Sequence, residues 1–423
     1  MSVPRRETSV PLPVEACCIA RLLEMQAARR PDATALLAIG RPPLSYAGLF
    51  DQFSRTVAAL RSLGIGRGDR VAIVLPNGPE LVAAFLAVAG AGAAAPLNPA
   101  YRRQELDFYL SDLNARAVVV GQGIDSSVRA VARQRGIAVV ELRPVDDAPA
   151  GSFVLESEIR PVPSRDELTG PDDVALILHT SGTTSRPKMV PLTQANVCCS
   201  AENIRRSLEL TPDDRCLNVM PLFHIHGLVG AVLSSLSSGA AIVCTPGFDG
   251  ERFFGWLGDF RPSWYTAVPT MHQEILARLP EHESAMEGVQ LRLIRSSSAS
   301  LPPRVMAELE RAFAAPVIES YGMTEAAHQM CSNPLPPRAR KPGSVGTAAG
   351  PDVAIMDATG NLLLPGSVGE IVIRGANVTR GYLGNRQANE EAFTDGWFRT
   401  GDQGVMDEEG YLRITGRIKE LIN

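Results

Sequence analysis

The strongest constraint in this 423-residue chain is a rhythm that sets in at Asp69, where short apolar runs alternate with longer helical stretches. Val71 to Leu75 reads as a buried strand, Pro79 to Gly90 as a helix and Glu105 to Leu113 as another. Ala117 to Val120 and Ala138 to Leu142 read as further strands. Runs that are apolar at every position belong to strands covered on both faces, and strands alternating with helices pair in parallel. Residues 143 to 173, rich in Pro, Asp and Ser, read as a connection. The rhythm then resumes, with strands expected at Val174–Leu178, Cys216–Met220, Ala241–Cys244, Trp264–Val268, Leu291–Arg295 and Val317–Glu319. After about Lys341 the texture changes to short alternating segments. Turns at Asp357-Ala358-Thr359-Gly360-Asn361 and Asp407-Glu408-Glu409-Gly410 flank strands such as Glu370–Arg374 and Tyr411–Thr415. A chain of this length exceeds one compact core. Two α/β subdomains with largely parallel sheets covered by helices, and a small β-rich subdomain, are expected over 1–170, 171–340 and 341–418, with a stub at 419–423.

Several function classes are excluded early. A formal charge of −5 gives no electrostatic footprint for a nucleic acid. The run Leu81 to Leu97 is mostly Ala and Gly, short for a membrane span and followed by Asn98-Pro99, so a buried helix leading into a buried strand is expected. Seven scattered cysteines, including the neighbours Cys17-Cys18 and Cys198-Cys199, match neither a disulfide framework nor a zinc pattern. Reduced thiols and a cytoplasmic setting follow as expectations. Arg5-Arg6 is not followed by the apolar run of a secretory signal. Nothing in the sequence reports the oligomeric state.

Only three lysines occur, Lys188, Lys341 and Lys419, against 38 arginines. The first closes the loop His179-Thr180-Ser181-Gly182-Thr183-Thr184-Ser185-Arg186-Pro187-Lys188, which follows a predicted strand. Hydroxyls, a glycine that admits close backbone approach and a point cation are the donors a polyphosphate requires. Alone, such a loop is also compatible with a solvated turn, and it lacks the P-loop spacing.

Its meaning sharpens with three later segments, namely Ser320-Tyr321-Gly322-Met323-Thr324-Glu325, Trp397-Phe398-Arg399-Thr400-Gly401-Asp402 and Thr415-Gly416-Arg417-Ile418-Lys419-Glu420. In order and spacing, over nearly the whole chain, these resemble the adenylate-forming superfamily of acyl-CoA synthetases, luciferases and peptide-synthetase adenylation domains. The resemblance implies the large N-terminal domain of that fold, its third part a distorted β-barrel. It implies that Thr180, Ser181, Gly182, Thr183, Thr184 and Lys188 hold ATP phosphates, with Ser298-Ala299-Ser300 as a wall beside the adenine. Ser320, Tyr321 and Gly322 then contribute to the nucleotide site, Tyr321 as a flat ring for the base. Thr324 reaches the α-phosphate, Glu325 gives Mg²⁺ a hard oxygen, and Asp402, with Arg417 nearby, binds the ribose hydroxyls. Taken singly, Asp402 is equally a turn residue and Arg417 a surface charge. Ser185 and Met189 depart from the family's usual glycines.

The implied chemistry is formation of an acyl-adenylate from a carboxylic acid and ATP (catalytic residues Lys188, Thr324, Glu325 and His224), then thioester formation with coenzyme A and release of AMP. Members rotate a C-terminal domain between these steps about a hinge that matches Lys419. Because the chain ends at Asn423, the resemblance implies an ATP- and acid-binding platform impaired in catalysis.

For the acid, the resemblance places His224 at the mouth of the acyl pocket, whereas His226 reads as a capping or core histidine. A helical turn from Thr324 is expected to align Glu325 with His328. With Ser297 and Ser298, His224 and His328 make a small polar pocket suited to a short dicarboxylate. The run from Tyr321 through Ser332-Asn333-Pro334-Leu335-Pro336 to Lys341-Pro342-Gly343-Ser344-Val345-Gly346 looks like that of oxalate–CoA ligases, which makes oxalate the leading acid. Malonate, an aryl acid, a medium-chain fatty acid, a peptide-synthetase adenylation domain or a non-catalytic nucleotide-binding module remain alternatives. No arginine for a distal carboxylate stands out in the sequence.

Overall fold

The computed structural model describes residues 18–124, 127–158, 169–180 and 187–418. The sequence expectations for Ser181, Gly182, Thr183, Thr184 and Lys419 therefore lie outside the described residues.

Three sheets organise the described residues. In the first, Arg70–Val74, Ala93–Pro96, Ala117–Gly121, Ala138–Pro144 and Val174–Thr180 are parallel, with antiparallel edges at Phe153–Ser157 and Lys188–Thr193. The second has nine strands. Its parallel core runs Thr34–Ala38, Ala241–Cys244, Arg215–Asn218, Trp264–Ala267, Leu293–Ser296 and Val317–Met323. Arg41–Ser45 edges one side, and His328–Ser332 with Thr347–Ala348 the other, all antiparallel. The third is a five-stranded antiparallel sheet over residues 352–417, in which Asp402 pairs with Arg417. The mixed α/β class is as the apolar rhythm implies.

The segment 143–173 is not only a connection, because Phe153–Ser157 pairs along Ala138–Pro144. The sheets also exchange strands across residue 170. Residues 34–45 complete the nine-stranded sheet, while 174–193 complete the seven-stranded one. Both pairs begin with a short apolar run whose side chains fit either layer, so neither local pattern says which sheet receives it.

The helix Pro79–Ala91 is buried at every residue except Glu80 and leads into the strand Ala93–Pro96, as the Ala/Gly-rich run suggests. It contacts strands of both sheets. The helices Ile19–Arg29, Tyr46–Ser62 and Gln194–Ser207 pack into the same continuous core. One side chain ties this layer together. Gln194, fully buried, accepts from Ile19 N–H at 3.1 Å and donates to Ala89 O at 2.6 Å and Thr169 Oγ1 at 3.1 Å. No described helix is long and apolar enough to cross a membrane.

Replacing Gln194 by Met keeps the volume and strands its partners without water. Each stranded buried polar group costs about 1–3 kcal/mol, so a loss of about 3 kcal/mol is expected in urea unfolding. A loss below about 0.5 kcal/mol would reject the tether.

Candidate functional site

Parallel strands gather chemistry at their carboxyl ends, and the predicted residues collect there. Thr180 ends one strand, Ser297 to Ser300 follow Leu293–Ser296, and Ser320 to Met323 end Val317–Met323. His224 and His226 follow Arg215–Asn218.

On the nucleotide side, Thr180 lies opposite Lys188 across an antiparallel pair. The Lys188 ammonium stands over the Tyr382 ring, 4.5 Å from its centre. The Tyr382 hydroxyl donates to Glu325 Oε1 at 2.9 Å, and burial raises the Glu325 pKa above the usual carboxylate value. The segment carrying Tyr382 is pinned to the Glu325 turn: Thr379 N–H donates to Glu325 O at 2.7 Å, and Asn377 Nδ2 to Ala326 O at 2.8 Å and Gln329 O at 3.0 Å. Neither Tyr382 nor Asn377 is evident in the sequence, since Gly381-Tyr382 carries no chemistry by itself.

Tyr321 and Asp402 meet directly. The buried Tyr321 hydroxyl donates to one Asp402 oxygen, and Arg417 Nε binds the other at 2.8 Å. Asp402 is a buried strand residue here, not a turn residue. Ser298, Ala299 and Ser300 are exposed at the edge of the site, and Ser298 sits at φ 73°. Thr324 is half-buried on the same rim, and Ser320 is buried with its hydroxyl on Ser296 O at 3.3 Å. Of the other two lysines, Lys341 binds Asp407 at 2.6 Å and serves as a structural clamp.

The acid side differs from the sequence expectation. The turn at Thr324–Ala326 is a single 3-10 turn that ends at Ala327, and His328 begins the strand His328–Ser332. His328 is therefore not one helical turn beyond Glu325. At Gly322, on the paired strand, an added Cβ would fall 1.9 Å from the His328 carbonyl, so only glycine allows the hairpin to close here. Ser297 is also corrected: it is fully buried and its hydroxyl donates to Ser320 O at 3.1 Å, leaving Ser298 to face the histidines.

His226, read as a core or capping residue, is buried and also joins the cluster. Its Nδ1 lies 3.1 Å from Ser298 Oγ and its Nε2 2.6 Å from Thr266 Oγ1. Its ring stacks on His328 at 4.8 Å. Burial holds both imidazoles well below the usual pKa, so both are neutral. His224 is exposed, against the Phe223 ring. A π-helix, His226–Leu233, brings Gly230 over this pair, where a Cβ would lie 2.7 Å from the His328 ring. Behind His328 lies Arg295, fully buried, which the sequence does not single out because it sits in an otherwise strand-like run.

The donor set fits a magnesium nucleotide. Among the described residues no three His, Cys, Asp or Glu side chains converge on one point. One buried carboxylate, Glu325, suits a cation that takes its remaining oxygens from phosphates.

This fold and this donor set are those of an adenylate-forming ligase, and the AMP-binding enzyme family model matches residues 23–383, so the chain belongs to that family and is an AMP-forming acid–CoA ligase. An oxalate–CoA ligase of Arabidopsis thaliana is 46% identical over 411 residues, covering 95% of this chain and 79% of that protein. One of Saccharomyces cerevisiae is 44% identical over 386 residues, covering 84% and 70%. The ATP-bound structure of MatB from Rhodopseudomonas palustris superposes with a TM-score of 0.81 at 32% identity, covering 95% of this chain and 80% of that one. The o-succinylbenzoate CoA synthetase of Bacillus subtilis, in complex with ATP and a magnesium ion, does so at 0.79 and 28%, with the same coverage.

Glu319, on the strand that carries the Tyr321 motif, is buried; Oε1 accepts from Leu301 N–H at 2.9 Å and, among the described residues, Oε2 has no partner. Burial pushes its pKa up from 4.5 to about 7. The folded state thus holds a proton that the unfolded chain releases, and this stability is lost as pH rises from 4.5 to about 7. Glu319→Gln keeps the Leu301 bond without the charge. It should exceed the parent by up to roughly 3 kcal/mol at pH 8 and match it near pH 4.5 in denaturant titrations. Parallel pH profiles for the two proteins would show that Glu319 ionises without penalty.

Proposed function

We propose that the acid is oxalate, and that the reaction is oxalate + ATP + CoA to oxalyl-CoA + AMP + diphosphate through an oxalyl-adenylate. The observation that carries this reading is the polar cluster of His226, His328 and Ser298, where Gly230 leaves no room for a Cβ beside the His328 ring. A hydrocarbon tail there would strand the ring N–H of buried His328, whose other nitrogen faces Arg295, at about 1–3 kcal/mol, whereas a second carboxylate accepts from it. The high identity to two oxalate–CoA ligases supports the same choice.

One carboxylate oxygen attacks the α-phosphorus, the bond to the bridging oxygen breaks, and diphosphate leaves with the electron pair. In this reading Thr180, Ser181, Gly182, Thr183, Thr184 and Lys188 hold the β- and γ-phosphates, and Thr324 the α-phosphate. Glu325 would hold Mg²⁺ together with phosphate oxygens, and the cation would neutralise charge there. Tyr382 keeps the Glu325 carboxylate oriented. Ser298 to Ser300 and Ser320 to Gly322 flank the adenosine, and Asp402, aligned by Tyr321 and Arg417, accepts from the ribose hydroxyls. His224 borders the acid entry. Holding reactants together supplies most of such a reaction. The thiol of coenzyme A then loses its proton, its sulfur attacks the acyl carbon, and AMP leaves.

Calorimetric and thermal-shift titrations with ATP and Mg²⁺ should rank oxalate above acetate and octanoate. Stabilisation by octanoate and not by oxalate would discard the assignment. Tyr382→Phe removes one hydrogen bond to a charged group, worth about 1.5–3 kcal/mol. It should weaken Mg²⁺-ATP binding by about tenfold or more while leaving metal-free AMP binding nearly unchanged. Equal losses for both would place Tyr382 outside the metal site.

A further inference from the structure

Register explains where Arg295 points. Thr266, Arg295 and Ile318 are parallel neighbours on one face of the nine-stranded sheet, the face that the π-helix covers. Ser296 and Glu319 are paired on the other face, so the sheet itself separates Arg295 from that nearby carboxyl group. The guanidinium is fully buried. Nη1 lies 2.9 Å from His328 Nε2, Nη2 donates to Gln329 Oε1 at 3.1 Å, and Nε has no partner. Among the described residues no carboxylate pairs with it. Burial lowers its pKa to about 9, which leaves it charged at neutral pH.

A buried cation without a counter-charge is costly, and an apolar side chain of similar volume would stabilise the core better. What this cation does is visible in its contact. Guanidinium nitrogens only donate, so the 2.9 Å approach makes His328 Nε2 an acceptor and leaves the proton of the neutral ring on Nδ1. Nδ1 lies on the Gly322 side, where an added Cβ would be 3.2 Å away, next to the Met323-Thr324-Glu325 turn.

We propose that Arg295 is the positioning and specificity-determining residue of the acid pocket: it holds His328 as the Nδ1–H tautomer, and its buried charge selects short acids that carry a second carboxylate. The inference rests on the acid–CoA ligase reading and deepens it. It does not require that the acid be oxalate. Arg295 acts through His328, since it lies behind the two imidazoles rather than on the pocket surface.

The first test needs no acid. In the full chain labelled with ¹⁵N-histidine, with His328 assigned by loss of its signals in His328→Gln, long-range proton–nitrogen spectra should show protonated Nδ1 and bare Nε2. A protonated Nε2 in the parent would overturn the positioning role. The second test titrates oxalate, malonate and acetate in the presence of AMP. Arg295→Leu should weaken the favoured dicarboxylate about 100-fold and acetate by less than threefold, while Arg295→Lys, which keeps a charge but not the fork, should fall between. Equal losses for all acids would reduce Arg295 to a structural residue. Should Arg295→Leu not fold, Arg295→Lys and the parent spectrum decide. Binding of malonate without oxalate would reject the oxalate assignment and leave this inference standing, whereas preference for acetate would overturn selection by charge.

Discussion

The helix Pro79–Ala91 is packed between two sheets and has almost no solvent face, with only Glu80 escaping burial. That constraint explains its composition, since a helix clasped on both sides must be apolar all round and thin enough for the sheets to approach. It also explains why a polar residue as large as Gln194 is retained in the same layer. The ends of buried helices expose backbone groups that water cannot reach, and this amide satisfies Ile19 N–H and Ala89 O together. The two sheets are held at a fixed separation and offset, and the residues at their carboxyl ends inherit that geometry.

The site shows a division of labour between charge that is neutralised within the protein and charge that is not. Asp402 has Arg417 and the Tyr321 hydroxyl, and Lys341 has Asp407. Among the described residues, Arg295 has only neutral partners in His328 and Gln329. Neutralised groups serve as fixed hydrogen-bonding surfaces, while an isolated buried charge acts on its surroundings at low screening.

Strands of the parallel layers were legible because their runs are apolar at every position, and most boundaries agree within two residues, as at Ala117–Gly121 and Ala241–Cys244. Membership of the adenylate-forming family was legible because four motifs occur in a fixed order. What escaped the sequence depended on tertiary register. The turn after Thr324 looked helical by composition, yet Gly322 permits a backbone approach that turns the chain into a hairpin, and His328 was misplaced with it. Tyr382 and Arg295 were missed for a related reason. Each becomes chemical only through a partner more than thirty positions away, Glu325 for the one and His328 for the other. Ser297 was overcounted because adjacent serines look alike until the alternation of a strand end sends one inward and one outward.

The exchange of strands between the sheets has a consequence for how the molecule comes into being. The hairpin at residues 34–45 pairs with Ala241–Cys244. During synthesis it must wait for some two hundred residues to emerge before its hydrogen-bonding edge is covered, and such distant pairings are slow to form. The seven-stranded sheet, in turn, needs residues 174–193. The nine-stranded sheet is not assembled from one uninterrupted stretch of chain, because residues 70–193 build the seven-stranded sheet between its two parts, so the two layers are committed to maturing as one cooperative unit. A break near residue 170 would leave an open edge on both.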